Sequence, residues 1–230
     1  MTRFLAATCR ALAVCAICFS ATPLHAADED LSTNARLLLA ARAADAAAMQ
    51  RALHAGAAID SRNRLGETPL LIVLKNRHPE LAPALLEAGA NVNQAAVNGV
   101  TPLMAAAYAG SEPLVRTLLA RGADVKAVDR LRKNAMTYAA GQGETAIVRL
   151  LIAAGVDPDA VYENDLTALM WAAGYGRTET VRALLDAGAR ADRRDNRGKT
   201  ALDIAREEKQ AETVAVLERA AAATGPKAGL

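Results

Sequence analysis

Gly99-Val100-Thr101-Pro102-Leu103-Met104-Ala105-Ala106-Ala107-Tyr108-Ala109-Gly110 decides the fold, because a shift of 33 residues returns it. Upstream stands Gly66-Glu67-Thr68-Pro69-Leu70. Downstream stand Arg132-Lys133-Asn134-Ala135-Met136, Asp165-Leu166-Thr167-Ala168-Leu169 and Gly198-Lys199-Thr200-Ala201-Leu202. A second marker keeps the same interval without a slip: Gly56, Gly89, Gly122, Gly155 and Gly188. A fixed period of this size marks a stacked repeat, in which each unit buries its apolar face only against its neighbours. The chain is therefore expected to be an all-α repeat solenoid.

One unit can be read physically. Thr68, Thr101, Asn134, Thr167 and Thr200 stand where a helix begins, and their side-chain oxygens can accept an orphan backbone N–H. Pro69 and Pro102 follow at the first helical position, where a missing N–H is harmless. Runs such as Met104-Ala105-Ala106-Ala107 and Met170-Trp171-Ala172-Ala173 predict a short helix whose alanines admit close neighbours. Gly110, Gly143 and Gly176 end it, since glycine takes positive φ without strain. A second helix follows, with apolar residues at helical spacing in Leu114, Val115, Leu118 and Leu119, and again in Ile147, Val148, Leu150 and Leu151.

These residues resemble the ankyrin repeat, over roughly Leu31 to Ala221. Thr-Pro-Leu, two alanines, glycine, two leucines and Gly-Ala-Asp stand nearly whole in Gly99 to Asp124. The resemblance implies about six helix-turn-helix units joined by β-hairpin-like loops, near 31–65, 66–98, 99–131, 132–164, 165–197 and 198–221. The first and last are imperfect, as terminal units must turn one face to water. The domain is placed at 27–221, with a flexible tail over 222–230. Departures from the family pattern are informative. The usual histidine after Thr-Pro-Leu is replaced by Leu71, Met104, Thr137, Met170 and Asp203, which removes a polar link between units. Arg132 stands in a glycine slot, so its turn is expected to be strained or differently shaped. Pro83 lies in the second helix of its unit, which predicts a kinked or shortened helix near Pro79 to Pro83.

Residues 1–26 read as a secretory signal peptide. Arg3 and Arg10 precede an apolar run from Ala11 to Ala21, Pro23 breaks the helix, and cleavage is expected after Ala26 or Ala27. The run is too short to span a bilayer, which needs about 20 residues. Leu12-Ala13-Val14-Cys15 loosely resembles a lipoprotein box, although Val14 is wrong for it. All 3 cysteines, Cys9, Cys15 and Cys18, lie in this segment, so the mature chain has no thiol. Removing Arg3 and Arg10 from 27 basic residues leaves 25, against 25 acidic residues, and a neutral chain carries no nucleic-acid footprint. The expected compartment is the periplasm, with the extracellular space as the alternative; no stable membrane insertion is expected after cleavage, and the chain is expected to be monomeric.

Catalytic and metal-ligating residues are scarce. His54 ends a helix, where a cation suits the helix dipole, and His78 lies in a loop. Asp124, Asp157 and Asp192 recur near the end of the repeat and read as turn residues. No phosphate loop and no Gly-x-Ser-x-Gly elbow occurs. No enzyme activity, cofactor or metal is expected. In ankyrin repeats the loop tips and the exposed side of the first helix line a concave surface. By alignment with that family, the loop slots hold Arg64, Glu67, Val97, Asn98, Val100, Arg130, Lys133, Glu163, Asn164 and Leu166. Helix slots add Lys75, Tyr108, Gln142 and Tyr175. Tyr162, Trp171 and Tyr175 fall in one short window; Trp171 and Tyr175 are four apart on one helix face, and Trp171 is expected to pack between units. The expected function is non-enzymatic binding of an unidentified protein partner in the bacterial cell envelope, the alternative being a secreted effector or an immunity-type protein.

Overall fold

The computed structural model describes residues 31–224; the expected signal segment 1–26 and the chain beyond 224 lie outside them. Among the described residues there are six helix pairs. They are α1 (Thr33–Ala43) with α2 (Ala46–His54), α3 (Pro69–Lys75) with α4 (Ala82–Glu87), and α5 (Pro102–Ala109) with α6 (Glu112–Ala120). Then follow α7 (Ala135–Gln142) with α8 (Thr145–Ala153), α9 (Ala168–Gly174) with α10 (Thr178–Asp186), and α11 (Ala201–Glu207) with α12 (Ala211–Thr224). The last helix runs past the expected domain end at Ala221.

The first helix of every unit from the second onward starts on the expected residue. The oxygens of Thr68, Thr101, Asn134, Thr167 and Thr200 accept the amide three residues on, at 3.3, 3.3, 3.0, 3.3 and 3.2 Å. The position that lacks histidine has a second use. Thr137 Oγ1 and Asp203 Oδ2 reach back to accept the N-cap amide at 3.0 and 2.9 Å. Met104 and Met170 offer their sulfur at 3.5 Å. In four of the five units the departure thus puts a capping box where a link between units would stand; Leu71 in the second unit has no acceptor to form one.

Pro83 behaves as its chemistry requires. A 3-10 turn covers Pro79–Leu81, and α4 begins only at Ala82 and spans six residues. Pro83 therefore stands in the first turn, whose amides have no partner within the helix, and the cost of about 3 kcal/mol for an interior proline does not arise.

The pairs stack in two rows. The first helices form one row, α1 on α3, α3 on α5, α5 on α7, α7 on α9 and α9 on α11; in the second row α6 packs on α8, α8 on α10 and α10 on α12. The core is a continuous strip of small and branched residues, including Leu70, Met104, Ala106, Ala107, Met136, Ala139, Ala140, Ala172 and Ala173, all nearly inaccessible. Side chains tie each unit to the one before. Arg121 donates to the Leu86 carbonyl at 2.7 Å, Arg177 to that of Gly141 at 3.0 Å and Gln210 to that of Gly174 at 3.4 Å. Thr145 bonds Thr180, and Thr178 bonds Thr213.

Hairpin-like turns join the units at 61–67, 94–100, 127–133, 160–166 and 193–199. Each is closed by the same bond, from Asn63 N–H to the Glu67 carbonyl and its equivalents from Ala96 to Val100, Asp129 to Lys133, Tyr162 to Leu166 and Asp195 to Lys199, at 2.8–3.1 Å. Neighbouring turns are also joined edge to edge. Val97 donates to Leu65, Arg130 to Asn98 and Asn196 to Asn164. The corresponding bond from Glu163 to Leu131 is missing among the described residues. A Cβ on Gly66 would come within 2.9 Å of the Val97 nitrogen, and one on Gly99 within 2.8 Å of the Asp129 Cα. Those two glycines let the next turn approach. Arg132 carries a Cβ at φ 53 in that slot, where the third and fourth turns lack the bond; Asp165 carries one at φ 58, where the fourth and fifth turns keep it. The strain expected at Arg132 is this left-handed backbone. Asn164 and Asp165 are left-handed as well, at φ 59 and 58.

A second ladder breaks at the same seam. Asp60 accepts the Asn91 amide at 3.0 Å, Asn93 that of Asp124 at 2.8 Å and Asp159 that of Arg190 at 2.8 Å. The intervening member of this series is Lys126, which has no acceptor to offer Asp157. Lys126→Asn is expected to complete the ladder and raise stability by about 0.5–1 kcal/mol, the usual net worth of one such bond. Urea unfolding measures it; Lys126→Ala should leave the midpoint unchanged, and slower amide exchange at Asp157 should accompany the gain.

Candidate functional site

Because the turns and first helices repeat every 33 residues, equivalent positions form columns along one face. One column holds Ile72, Ala105, Tyr138, Trp171 and Ile204; its neighbour holds Lys75, Tyr108, Gly141, Gly174 and Glu207. Large side chains on one unit lie over small ones on the next. The Tyr175 ring passes 3.6 Å from where a Cβ of Gly141 would lie, and a Cβ on Gly174 would come within 3.2 Å of Ile204.

Two chains of contacts cross this face. In the first, the Arg77 guanidinium lies 5.7 Å from the Tyr108 ring centre, and Tyr108 meets Tyr138 edge to face at 6.0 Å. The Tyr138 hydroxyl then donates to Asp129 Oδ2 at 2.6 Å. In the second, Lys133 Nζ stands 4.3 Å above Trp171, which stacks on Tyr175 with centroids 6.0 Å apart. Such cation–ring contacts contribute about 0.5–1 kcal/mol where exposed, enough to hold long side chains in one arrangement. Trp171 packs between units, as expected: its ring touches Lys133 of the unit before, and it lines a groove of about 440 Å3 with Leu166, Met170, Tyr175 and Ile204. Its Nε1–H is buried and has no partner.

The structure separates the sequence candidates. Arg64, Lys75, Val97, Asn98, Tyr108, Arg130, Asn164 and Tyr175 are exposed on this face, and Val100, Lys133, Gln142, Glu163, Leu166 and Trp171 are half-buried. Two candidates do not present a free side chain. Glu67 is buried, and it accepts from Asn63 at 2.8 Å and pairs with Lys75. Burial opposes its ionisation, but the hydrogen bonds from Lys75 and Asn63 and the charges of Lys75 and Arg42 outweigh that and hold its pKa below the ordinary value. Tyr162 is buried as well, and its hydroxyl accepts from Asn134 Nδ2 at 2.9 Å. Nearness in sequence to Trp171 is misleading here, because Tyr162 belongs to a turn and points into the unit boundary. Its site in the repeat is elsewhere Asn63, Ala96, Asp129 and Asp195. Asn134 is the one N-cap of the five regular units that is not threonine; its amide nitrogen donates to that phenol while its oxygen accepts the Thr137 amide. The two departures answer each other.

Tyr138 and Arg77 belong to the face and were not among the candidates. The signal for Tyr138 was present, since it stands 33 residues before Trp171 in the same column. Arg77 is hidden from such counting, because its column next holds Gly110, Gly143 and Gly176 before Lys209, and it enters the face through a left-handed backbone at φ 63. Among the described residues no group of three or more His, Cys, Asp or Glu is placed to hold a metal ion, and no helix is long and apolar enough to cross a membrane. What the face offers is cations, rings and aliphatic side chains on a stiff frame, which is the equipment of recognition.

Comparison with known proteins agrees with this architecture. The family model for ankyrin repeats (three copies) matches residues 37–129 and again 132–224, and the chain belongs to the ankyrin-repeat family. A crystal structure of an ankyrin repeat domain from Acinetobacter baumannii AYE, at 1.00 Å resolution, is similar at 33% identity and a TM-score of 0.70. The similarity covers 80% of this chain and 96% of that one. No curated protein sequence matches. The ankyrin fold is typically a non-enzymatic scaffold for protein–protein interaction.

The two tied tyrosines make the frame titratable. Burial and the Asp129 carboxylate push the Tyr138 phenol well above its ordinary value of 10.0. Burial, helped by Asp157 and opposed by the Asn134 hydrogen bond, pushes Tyr162 to about 12. The folded state therefore favours both protonated phenols. The stability they contribute is complete below pH 10 and is lost as the pH rises from there toward the folded values. Unfolding free energy is expected to fall above pH 10, and absorbance titration of phenolate should show a late component that Tyr138→Phe and Tyr162→Phe each diminish.

Proposed function

We propose that the chain is a non-enzymatic interaction module of the bacterial cell envelope, exported to the periplasm, that binds a protein partner through its turn-and-first-helix face. The observation that carries this reading is the pair of contact chains Arg77–Tyr108–Tyr138 and Lys133–Trp171–Tyr175. They set exposed rings and cations in fixed positions without any ligand. Side chains already ordered lose little freedom on binding, so more of the contact energy appears as affinity. Aromatic and arginine side chains are also the types that dominate binding hot spots. Export is supported by the N-terminal Arg3, Arg10 and apolar run, and a mature chain without cysteine is indifferent to an oxidising compartment.

The test replaces Tyr108, Tyr175 and Arg130 together by alanine. All three are exposed, so folding should be retained, as circular dichroism would verify. A pull-down from periplasmic extract with the parent chain should capture partners that the triple variant loses; if every captured protein survives, this face is not the binding surface. Osmotic shock should release the protein, whereas recovery from the medium would favour a secreted effector.

A further inference from the structure

We infer that the face of units 2 to 4 receives an acidic segment of a partner protein that also carries bulky apolar side chains. This names the partner class for the proposed interaction face and rests on that reading.

The argument begins with the carboxylates. The turns and first helices of these units, residues 61–77, 94–110 and 127–143, contain Glu67 and Asp129 and no other acid. Both are buried and fully engaged. Glu67 is held by Asn63 and Lys75. Asp129 accepts the Leu131 and Lys133 amides at 2.8 Å each, together with the Tyr138 hydroxyl. Glu67 is taken up by Lys75, and Asp129 forms no ion pair among the described residues. Yet Arg64, Arg130 and Arg132 are all exposed there, and among the described residues none of them forms an ion pair. Arg77 and Lys133 rest on rings instead of acids. The turns of this half of the face therefore carry an excess of accessible positive charge, with the half-buried Glu144 carboxylate lying against Gly110. The excess ends at the fourth turn, where Glu163 and Asp165 reverse it.

The ground between the cations is apolar. Unit 3 contributes no charged residue from Gln94 to Gly110. Leu65, Val97 and Leu131 stand at the tips of three successive turns with 62%, 50% and 54% of their surface exposed. Tyr108 and the half-buried Val100 lie on the same unit. Aliphatic tips alternating with arginines suit a peptide that alternates acids with large apolar residues; complementary charge would guide its approach and fix its register. Single-stranded nucleic acid is disfavoured, because it needs open ring faces for stacking, and Arg77 already covers Tyr108.

The test uses the full chain and a fluorescein-labelled synthetic peptide of alternating Glu and Leu, read by anisotropy. The peptide should bind, weaken as salt rises, and lose affinity when its Glu residues are changed to Lys or its Leu residues to Ser. Arg64→Glu with Arg130→Glu should weaken it by about tenfold and admit the Lys–Leu peptide. Arg64→Gln with Arg130→Gln should give a smaller loss, which guards against a folding artefact, and Arg149→Ala, exposed on α8 in the row of second helices, should bind as the parent does. Equal binding of acidic and basic peptides, no binding of the acidic one, or tighter binding of a single-stranded oligonucleotide would overturn the inference. If the acidic peptide fails while the Tyr108, Tyr175 and Arg130 variant still loses its captured partners, the face stands and only the acidic class falls.

Discussion

The structure depends on one constraint: no helix pair here can bury its own apolar side. First helices of seven or eight residues, such as Pro69–Lys75 and Pro102–Ala109, are too short to persist alone in water, where isolated helices below about 12 residues are marginal. They exist because each presses its alanines and leucines on the next. Alanine is central for this reason. At Ala106, Ala107, Ala139, Ala140, Ala172 and Ala173 the side chain is fully enclosed, and a larger one would force the rows apart. The N-caps set where each helix starts, and stacking decides that it forms at all.

The same stacking brings the turns into a ladder, and the ladder has a gap. Turns close on themselves through bonds that any sequence able to bend there can make. Edge-to-edge bonds between turns need close approach, for which glycine at 66 and 99 leaves room, while beside Asp165 the bond forms without glycine. Where Arg132 stands in the glycine slot and Lys126 in that of an acceptor, units 3 and 4 lack both links. Side chains take over the junction: Asn134 bonds Tyr162, and Lys133 lies over Trp171. This substitution of contacts brings charged and aromatic groups to the middle of the face. An irregularity in the frame is thus also what makes that surface individual.

The helices also give the binding face its stiffness. Each exposed ring is supported by a neighbour from the same or an adjacent unit, as Tyr108 is by Tyr138 and Tyr175 by Trp171. Buried acids hold the turns from within. Asp129 and Asp195 each accept two turn amides, and Asp195 is fully shielded beneath Arg197. Such carboxylates serve the frame, and they leave the surface to the arginines.

The sequence by itself determined the period, the helix starts, the shortened helix at Pro83 and the columns from which a binding face is built. These are local matters: a threonine oxygen finds its amide three residues on, and proline lacks a donor wherever it stands. The candidate face was legible in outline for the same reason, since a fixed register places Arg64, Val97 and Arg130 in one column before any coordinates exist. Tertiary structure alone decided which of those residues are available. Glu67 and Tyr162 occupy surface slots by count, yet are drawn inward by Lys75 and Asn134. Tyr138 and Arg77 reach the face through contacts with other units. Availability depends on partners elsewhere in the same unit or in the next, whose distance and direction a one-dimensional period does not specify.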